Sequence, residues 1–489
     1  SGRVTHQLKA GAEYNTGSWL EKRRRNGNLT WRPEEGDGPF DPDDPATWGF
    51  ISSDWEGFIN LDAEIQNAAL YVQDYMDLSP RLRLGAGLRY GQWEGTLTPG
   101  FGGGSQFTAV EDSAVDPRIG LTADFTGEGK WIGKAHWGRY HQPLFALMFD
   151  RVEGGNAFTD ETYWDWIGPG LPELGRPYTI EERDQFFDFF DDNPIGEQVG
   201  PAENYSQPYV DQGVLSIEYG MSSKWRLGAS YVRREWNDIV ALQDKNLATN
   251  YTSYNNVSVV DFNTGLPVLD QFGDPLVLST LLLSNEDIIR RGSAPGLSDE
   301  DIANLTYDQD LVLTNPSDAF REMDQVQLQA DYRSPQWRVF SSLVYTDVPG
   351  NFFGESGYDD PTGGTGAGAF VEPNLQTNFV GLMPNFSEWE LKVRATGQLP
   401  WKLRGGAYLL YALGDRYTPG YQIDSRNHDF FTEDGEYINF RLVGGVSGQE
   451  VFLEQRGNRE LDDLTYLDLR LDRPFQVGGG EFTVALDLF

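Results

Sequence analysis

Along much of this chain apolar and polar residues take alternate positions. In "RLRLGAGLRY", Leu82, Leu84, Ala86, Leu88 and Tyr90 fall on one parity, and Arg81, Arg83, Gly85, Gly87 and Arg89 on the other. In "DQVQLQADY", Val326, Leu328, Ala330 and Tyr332 alternate with Gln325, Gln327, Gln329 and Asp331. A period of two marks a strand with one apolar and one polar face. The same pattern runs through "KWRLGASYVRREW", "WRVFSSLVY", "TYLDLRLD" and "EFTVALDLF". Short stretches rich in Gly, Pro and Ser ("LSPR", "TGEGK", "GMSSK", "RSPQ", "QLPW", "VGGGE") join these strands pairwise, as hairpins require. One rising strand near residues 4–24 and six hairpins make about thirteen strands.

At their other ends the hairpins carry long polar segments, near 33–64, 98–114, 142–208, 242–320, 350–386 and 420–462. The first of these holds ten Asp or Glu and no Lys or Arg. Short turns on one side and long loops on the other predict an all-β, transmembrane antiparallel β-barrel of the outer-membrane type, with long acidic extracellular loops. Three loop segments predict short helices: "TIEERDQFFDFF", with a capping box from Thr179 to Glu182 and a stop at Pro194; "SNEDIIRRG"; and "LSDEDIANL". Trp131, Trp225, Trp337 and Trp401 each follow a short turn. Trp suits a membrane–water boundary, so these four predict half of an aromatic girdle near the periplasmic rim. The alternative is four core Trp residues of a soluble β-sandwich.

Composition narrows the function. The 489 residues carry a formal net charge of -37, which repels phosphate backbones and excludes nucleic acid as a partner. Cysteine is absent, so neither a disulfide nor a thiolate metal site can form. The mean hydropathy of -0.49 resembles that of a soluble protein, but in a barrel only every second residue meets lipid. The N-terminal "SGRVTHQLKAG" shows no apolar core of a signal peptide.

One family resemblance rests on "HQLKAGAEY", "AALYVQDYMDLSPRLRLGAGLRYGQWEG", "VDPRIGLTADFTGEGKWIGKAHWGRYHQP", "LGASYVRREWNDIV" and "YLDLRLDRPFQVGGGEFTVALDLF". In their order along the chain these segments resemble the barrel of TonB-dependent receptors. They are most similar to the Oar-like group, which carries a carboxypeptidase-regulatory-like domain. The resemblance implies a barrel of roughly 22 strands with a plugged lumen. It also implies an N-terminal plug, earlier strands and one last strand outside residues 1–489. Phe489 shares its parity with Asp487 rather than with Phe482, Val484, Leu486 and Leu488, so it does not read as a terminal barrel aromatic. The implied function is active transport of a large or scarce ligand (a peptide, an oligosaccharide or a metal chelate) captured by the extracellular loops. The implied partners are TonB, acting through the plug, and the lipid and lipopolysaccharide of the outer membrane of a Gram-negative bacterium. A passive porin or surface adhesion barrel is the alternative, and a soluble secreted β protein is a third reading.

Candidate chemistry is sparse. Asp41, Asp43 and Asp44 present carboxylate oxygens that suit Ca2+ in a loop, although the string departs from an EF-hand and a solvated acidic loop is the plainer reading. Tyr163, Trp164 and Trp166 stand among Asp160, Glu161 and Asp165, a combination that suits a sugar, peptide or cationic chelate. Packing of the loop on itself explains them equally. His6, His136, His141 and His428 form no metal-binding pair, and His136 and His141 have opposite strand parity. "TGGTGAGAF" lacks the Lys of a phosphate loop, and no G-x-S-x-G occurs, so no enzyme and no resident cofactor are expected.

Overall fold

The computed structural model describes residues 4–23, 30–33, 48–52, 59–98, 105–146, 161–173, 176–193, 200–201, 205–244, 251–261, 263–269, 273–283, 311–351, 378–384, 386–424, 428–435, 437–438 and 448–489. Thirteen long strands follow one another across a single antiparallel sheet: β1 (Thr5–Arg23), β2 (Ile59–Ser79), β3 (Leu82–Thr98), β4 (Phe107–Asp124), β5 (Trp131–His141), β6 (Tyr209–Gly220), β7 (Trp225–Asn237), β8 (Arg321–Arg333), β9 (Trp337–Asp347), β10 (Trp389–Gln398), β11 (Arg404–Ala412), β12 (Leu464–Val477) and β13 (Gly480–Leu488). Spatial order equals chain order. Two short strands, 349–350 and 381–382, add to its long-loop rim. Among the described residues β1 pairs only with β2 and β13 only with β12, so the sheet is an open arc. Phe489 lies past the end of β13 and is 90% exposed.

Register follows the apolar pattern. Ala12, Leu70, Tyr90 and Val115 lie opposite one another across β1 to β4. Ala135, Leu215, Tyr231, Val326, Tyr345 and Trp389 form a second row across β5 to β10. A slip of one residue in any strand would carry its apolar set to the other face, which is why the pairing is so regular. Leu8, Leu70, Leu88, Val115, Leu215 and Leu328 are exposed on this face. A continuous apolar band of this extent is unfavourable in water by about 25 cal/mol per Å2, whereas hydrocarbon solvates it.

The short turns are ordered by local chemistry. Between β4 and β5 the Asp124 carboxylate accepts from the backbone N–H groups of Thr126, Gly127 and Gly129 at 3.2, 2.9 and 2.8 Å. Gly127 and Gly129 take positive φ (78° and 72°), which a side chain would strain. Between β10 and β11 Trp401 and Lys402 both adopt left-handed backbone (φ 61° and 59°).

The long loops carry more strand than the sequence suggested. Segments 30–33, 48–52, 161–166 and 187–193 form a four-stranded sheet, and 251–261, 277–283, 428–431 and 437–438 form another. Helix α1 (Ile180–Phe186) opens with the expected reciprocal capping box between Thr179 and Glu182. It ends at Phe186 rather than reaching Pro194, because residues 187–193 turn extended and pair with 161–166. Aromatic residues favour a pleated, half-buried surface, and here the partner strand supplies it. The helices expected near 284 and 298 lie outside the described residues.

Candidate functional site

The face opposite the apolar band is polar and crossed by ion pairs. Arg89 reaches Glu13 at 2.7 Å, Lys134 reaches Glu218 at 2.5 Å, and Arg83 grips Asp77 at 2.6 Å. At the long-loop end this face is closed over by apolar packing. Ala63, Ile65, Trp93, Leu97 and Val110 from β2 to β4 are buried with Leu144, Val240 and Leu313 from the loops. The segment after β5 is drawn onto the wall by Asn67, whose side chain accepts from the Leu144 N–H at 3.0 Å and donates to its carbonyl at 3.1 Å. Gln207, fully buried, donates to the Gln142 carbonyl at 2.7 Å, and its backbone N–H meets Asp112 at 2.7 Å.

Within this mouth lies a buried acid–imidazole pair. His141 Nδ1 stands 2.5 Å from an Asp116 carboxylate oxygen, and both side chains are nearly inaccessible. The imidazole packs beside Trp93 (5.3 Å between ring centres) and Tyr209 (4.9 Å). Arg139 holds Asp211 through two hydrogen bonds of 2.9 and 2.8 Å and lays its guanidinium over the Tyr209 ring at 3.9 Å. Burial pushes the neighbouring Asp238 carboxyl above its ordinary range, against the opposing pull of His141 and Arg139. Below this group His136 and Tyr140 face Arg118, whose guanidinium sits 4.4 Å from the Tyr140 ring. The arrangement sets aromatic rings, cations and fixed carboxylates side by side at the mouth.

Parity misassigns His141. Strand alternation sets it opposite to His136, yet it meets Asp116 and Trp93 on the polar face. β5 stays paired with β6 as far as His141, but its pairing with β4 stops at Gly138, so beyond that point the two strands no longer hold a common face. Trp164 and Trp166 are half-buried in a small loop core with Tyr178, Phe186 and Phe187. Trp166 donates to the Gly170 carbonyl at 2.7 Å, and Arg183 lies 5.1 Å from the Trp164 ring. The Tyr163 backbone pairs in the same loop sheet. Asp41, Asp43 and Asp44 lie outside the described residues. Among the described residues no group of three or more His, Asp or Glu is placed to hold a metal ion.

Trp131, Trp225 and Trp337 open β5, β7 and β9, and Trp401 sits in the β10–β11 turn, so all four lie at the short-turn end. Trp131 stacks on Tyr219 (4.2 Å), and Trp225 tilts against Tyr332 (4.8 Å). Trp337 lies over Gly397, the residue directly opposite, where a side chain would occupy the space of the indole. The sequence reading missed a matching set toward the other end: Trp137, Tyr231, Tyr345 and Trp389, on the same apolar parity. From Trp337 to Tyr345 is eight residues, about 26 Å along the strand, or about 20 Å along the membrane normal at the usual tilt.

Residues 1–180 match the family described as TonB dependent receptor-like, beta-barrel. No curated protein matches the chain. Among solved structures, the outer membrane transporter YddB from Escherichia coli is similar over 97% of this chain and 46% of its own, with 14% identity and a TM-score of 0.48. The ferric preacinetobactin receptor BauA from Acinetobacter baumannii is similar over 99% and 46%, with 10% identity and a TM-score of 0.42. For the ferric yersiniabactin uptake receptor FyuA from Yersinia pestis the values are 100%, 56%, 8% and 0.35. The chain spans about half the length of these proteins (46% to 56%). The matched family and the apolar face together place it in the outer membrane of a Gram-negative bacterium.

Proposed function

We propose, from the match of residues 1–180 to the family described as TonB dependent receptor-like, beta-barrel, that the chain is the wall of an active importer. Its ligand is a peptide, an oligosaccharide or a metal chelate, captured at the extracellular mouth. The observation that carries the reading is the family match over β1 to β5, which pair in unbroken succession with the strands through β13. The unpaired edges of β1 and β13 extend the proposal. Backbone groups left open in hydrocarbon each cost several kcal/mol, so further strands outside these residues close the barrel. A plug fills the lumen, and TonB acts through it. Within the family, the segments matching the Oar-like pattern favour that group. In the mouth, Tyr209 and Arg139, braced by the buried Trp93 and His141, belong to the wall that a captured ligand meets first, while Trp164 and Trp166 hold the shape of the loop above it.

The test uses the gene in its host, with oligopeptides, oligosaccharides and ferric chelates offered singly. Uptake of one class that disappears on deleting either this gene or TonB supports the reading. Passage that falls smoothly with solute size and ignores TonB would establish the passive porin instead.

A further inference from the structure

The apolar face is not uniform. Where β4 to β7 cross it, Ala123, Gly133 and Ala229 fall in one row, and Ala135 in the next row up. These small residues leave a hollow of about 480 Å3, walled by the taller Leu121, Phe125, Leu215, Tyr231 and Val326. Phe125 leans in over Gly133, where a side chain would strike its ring. From Phe125 to Leu121 the hollow runs about 13 Å in the strand direction.

The foot of the hollow is ringed and cationic. Trp131, two residues below Gly133, stacks on Tyr219, two residues below Ile217. The Lys130 ammonium lies 5.9 Å from the centre of the same Tyr219 ring. Lys130 is exposed and forms no ion pair among the described residues. The adjoining turns add two more such cations. The Arg81 guanidinium rests against Gly127, in the turn that carries Lys130, and Lys224 closes the turn between β6 and β7. Neither has an ion-pair partner among the described residues. Across turn residues 80–81, 125–130 and 221–224 the single carboxylate is Glu128, in a chain whose net charge is -37.

We propose that the hollow and the cations beneath it form a binding site for one anionic phospholipid, with an acyl chain in the hollow and the phosphate at Lys130. The apolar walls select hydrocarbon. The Trp131 and Tyr219 rings stand between hollow and cation, the level at which amphipathic rings meet the ester region of a bilayer. Charge complementarity selects the headgroup. Basic residues near a membrane surface attract anionic lipid, whereas a zwitterionic lipid brings its own cation to compete with Lys130, Arg81 and Lys224. Position selects the leaflet. The site is at the short-turn end, so a lipid of the opposite leaflet does not present its phosphate there. The inference rests on the barrel-wall reading above and names the lipid that one part of the wall holds.

The experiment places the full-length protein in phosphatidylcholine vesicles containing a small fraction of phosphatidylglycerol with a diazirine in one acyl chain. Phosphatidylcholine with the same diazirine chain is the control probe, and peptide mapping locates the adducts. In the unmutated protein, adducts on β5 to β7 around the hollow should be about fivefold more abundant with phosphatidylglycerol. Leu70 and Leu88, exposed elsewhere on the face, should label alike with both probes. Lys130→Ala should reduce the preference to about twofold or less. Ala135→Phe, which fills the hollow without changing charge, should lower labelling there by both probes. Equal labelling of the hollow by the two probes overturns the proposal without any variant having to fold. A preference unchanged in Lys130→Ala, or undiminished labelling in Ala135→Phe, overturns it as well. A hollow free of adducts while Leu70 and Leu88 are labelled marks a protein partner there and also overturns it. In each of these cases the labelled face leaves the barrel-wall reading standing, whereas absence of adducts from Leu70, Leu88 and the hollow together overturns both.

Discussion

Replacing Leu328 by Arg tests which face of the sheet meets hydrocarbon. Leu328 is 49% exposed and lies opposite Ala229 and Leu343 in the apolar row. It stands five residues from Arg333, where β8 reaches the short-turn end. At 3.3 Å per residue that is about 16 Å along the strand, and at a tilt near 40° about 13 Å along the normal. Half of an apolar band about 25 Å tall is nearly the same distance, so Leu328 sits near the midplane. An Arg there costs about 2–4 kcal/mol of folding free energy. Gln329→Arg is the control. It is one residue away on the same strand but on the polar face, and its cost should be at most about 1 kcal/mol. Full-length protein is folded into large unilamellar vesicles and unfolded in guanidinium, with Trp emission as the readout. Equal costs for the two variants, within about 0.5 kcal/mol, would refute the assignment of faces.

Asn67→Ala removes both hydrogen bonds to Leu144 and should cost about 1–3 kcal/mol, with faster hydrogen exchange at residues 142–146 and unchanged exchange in the centre of β3. The Glu182 carboxyl is held below its usual range by the hydrogen bond from Arg176 and then by the Thr179 N–H, so its support of α1 is present above about pH 4.3 and is lost as pH falls through the folded value. Protease protection of α1 should therefore decline on acidification in the parent protein but not in Glu182→Gln, and parallel profiles would contradict the capping role. Gly397→Val should displace the Trp337 ring and change its quenching by lipids brominated near the headgroups, whereas unaltered quenching would show that the ring does not rest there. Ca2+ binding at Asp41, Asp43 and Asp44 predicts slower hydrogen exchange across residues 33–64 when the ion is added, and exchange that ignores Ca2+ would remove the site.

The strands were legible because alternation is a local signal. Leu82 to Tyr90 and Val326 to Tyr332 announce both a strand and its lipid face without knowledge of a partner. The capping box at Thr179 was legible for the same reason. What escaped depends on contacts between distant residues. The run from Phe187 to Asn193 continues a helical pattern, and only the strand at Glu161–Trp166 makes it extended. The Asp116–His141 pair was hidden because it forms past the point where β4 and β5 stop pairing, and parity fails there. Phe340 departs from the alternation read in "WRVFSSLVY", because strand geometry puts this apolar ring on the face away from Val339, between Asp331 and Arg394.

Every long strand of the sheet lies beside the one made just before it. No strand must be threaded between two already paired, so hairpins can be added to the growing edge in the order of synthesis or in its reverse. The burden falls on the connections. Each hairpin that enters the bilayer must carry one long acidic loop through hydrocarbon, while its short turn stays on the side of entry. That crossing happens once per hairpin and cannot be undone cheaply, because return would drag the same carboxylates back. The difference in length between turns and loops thus acts as a ratchet on insertion and fixes the orientation of the wall before the barrel closes.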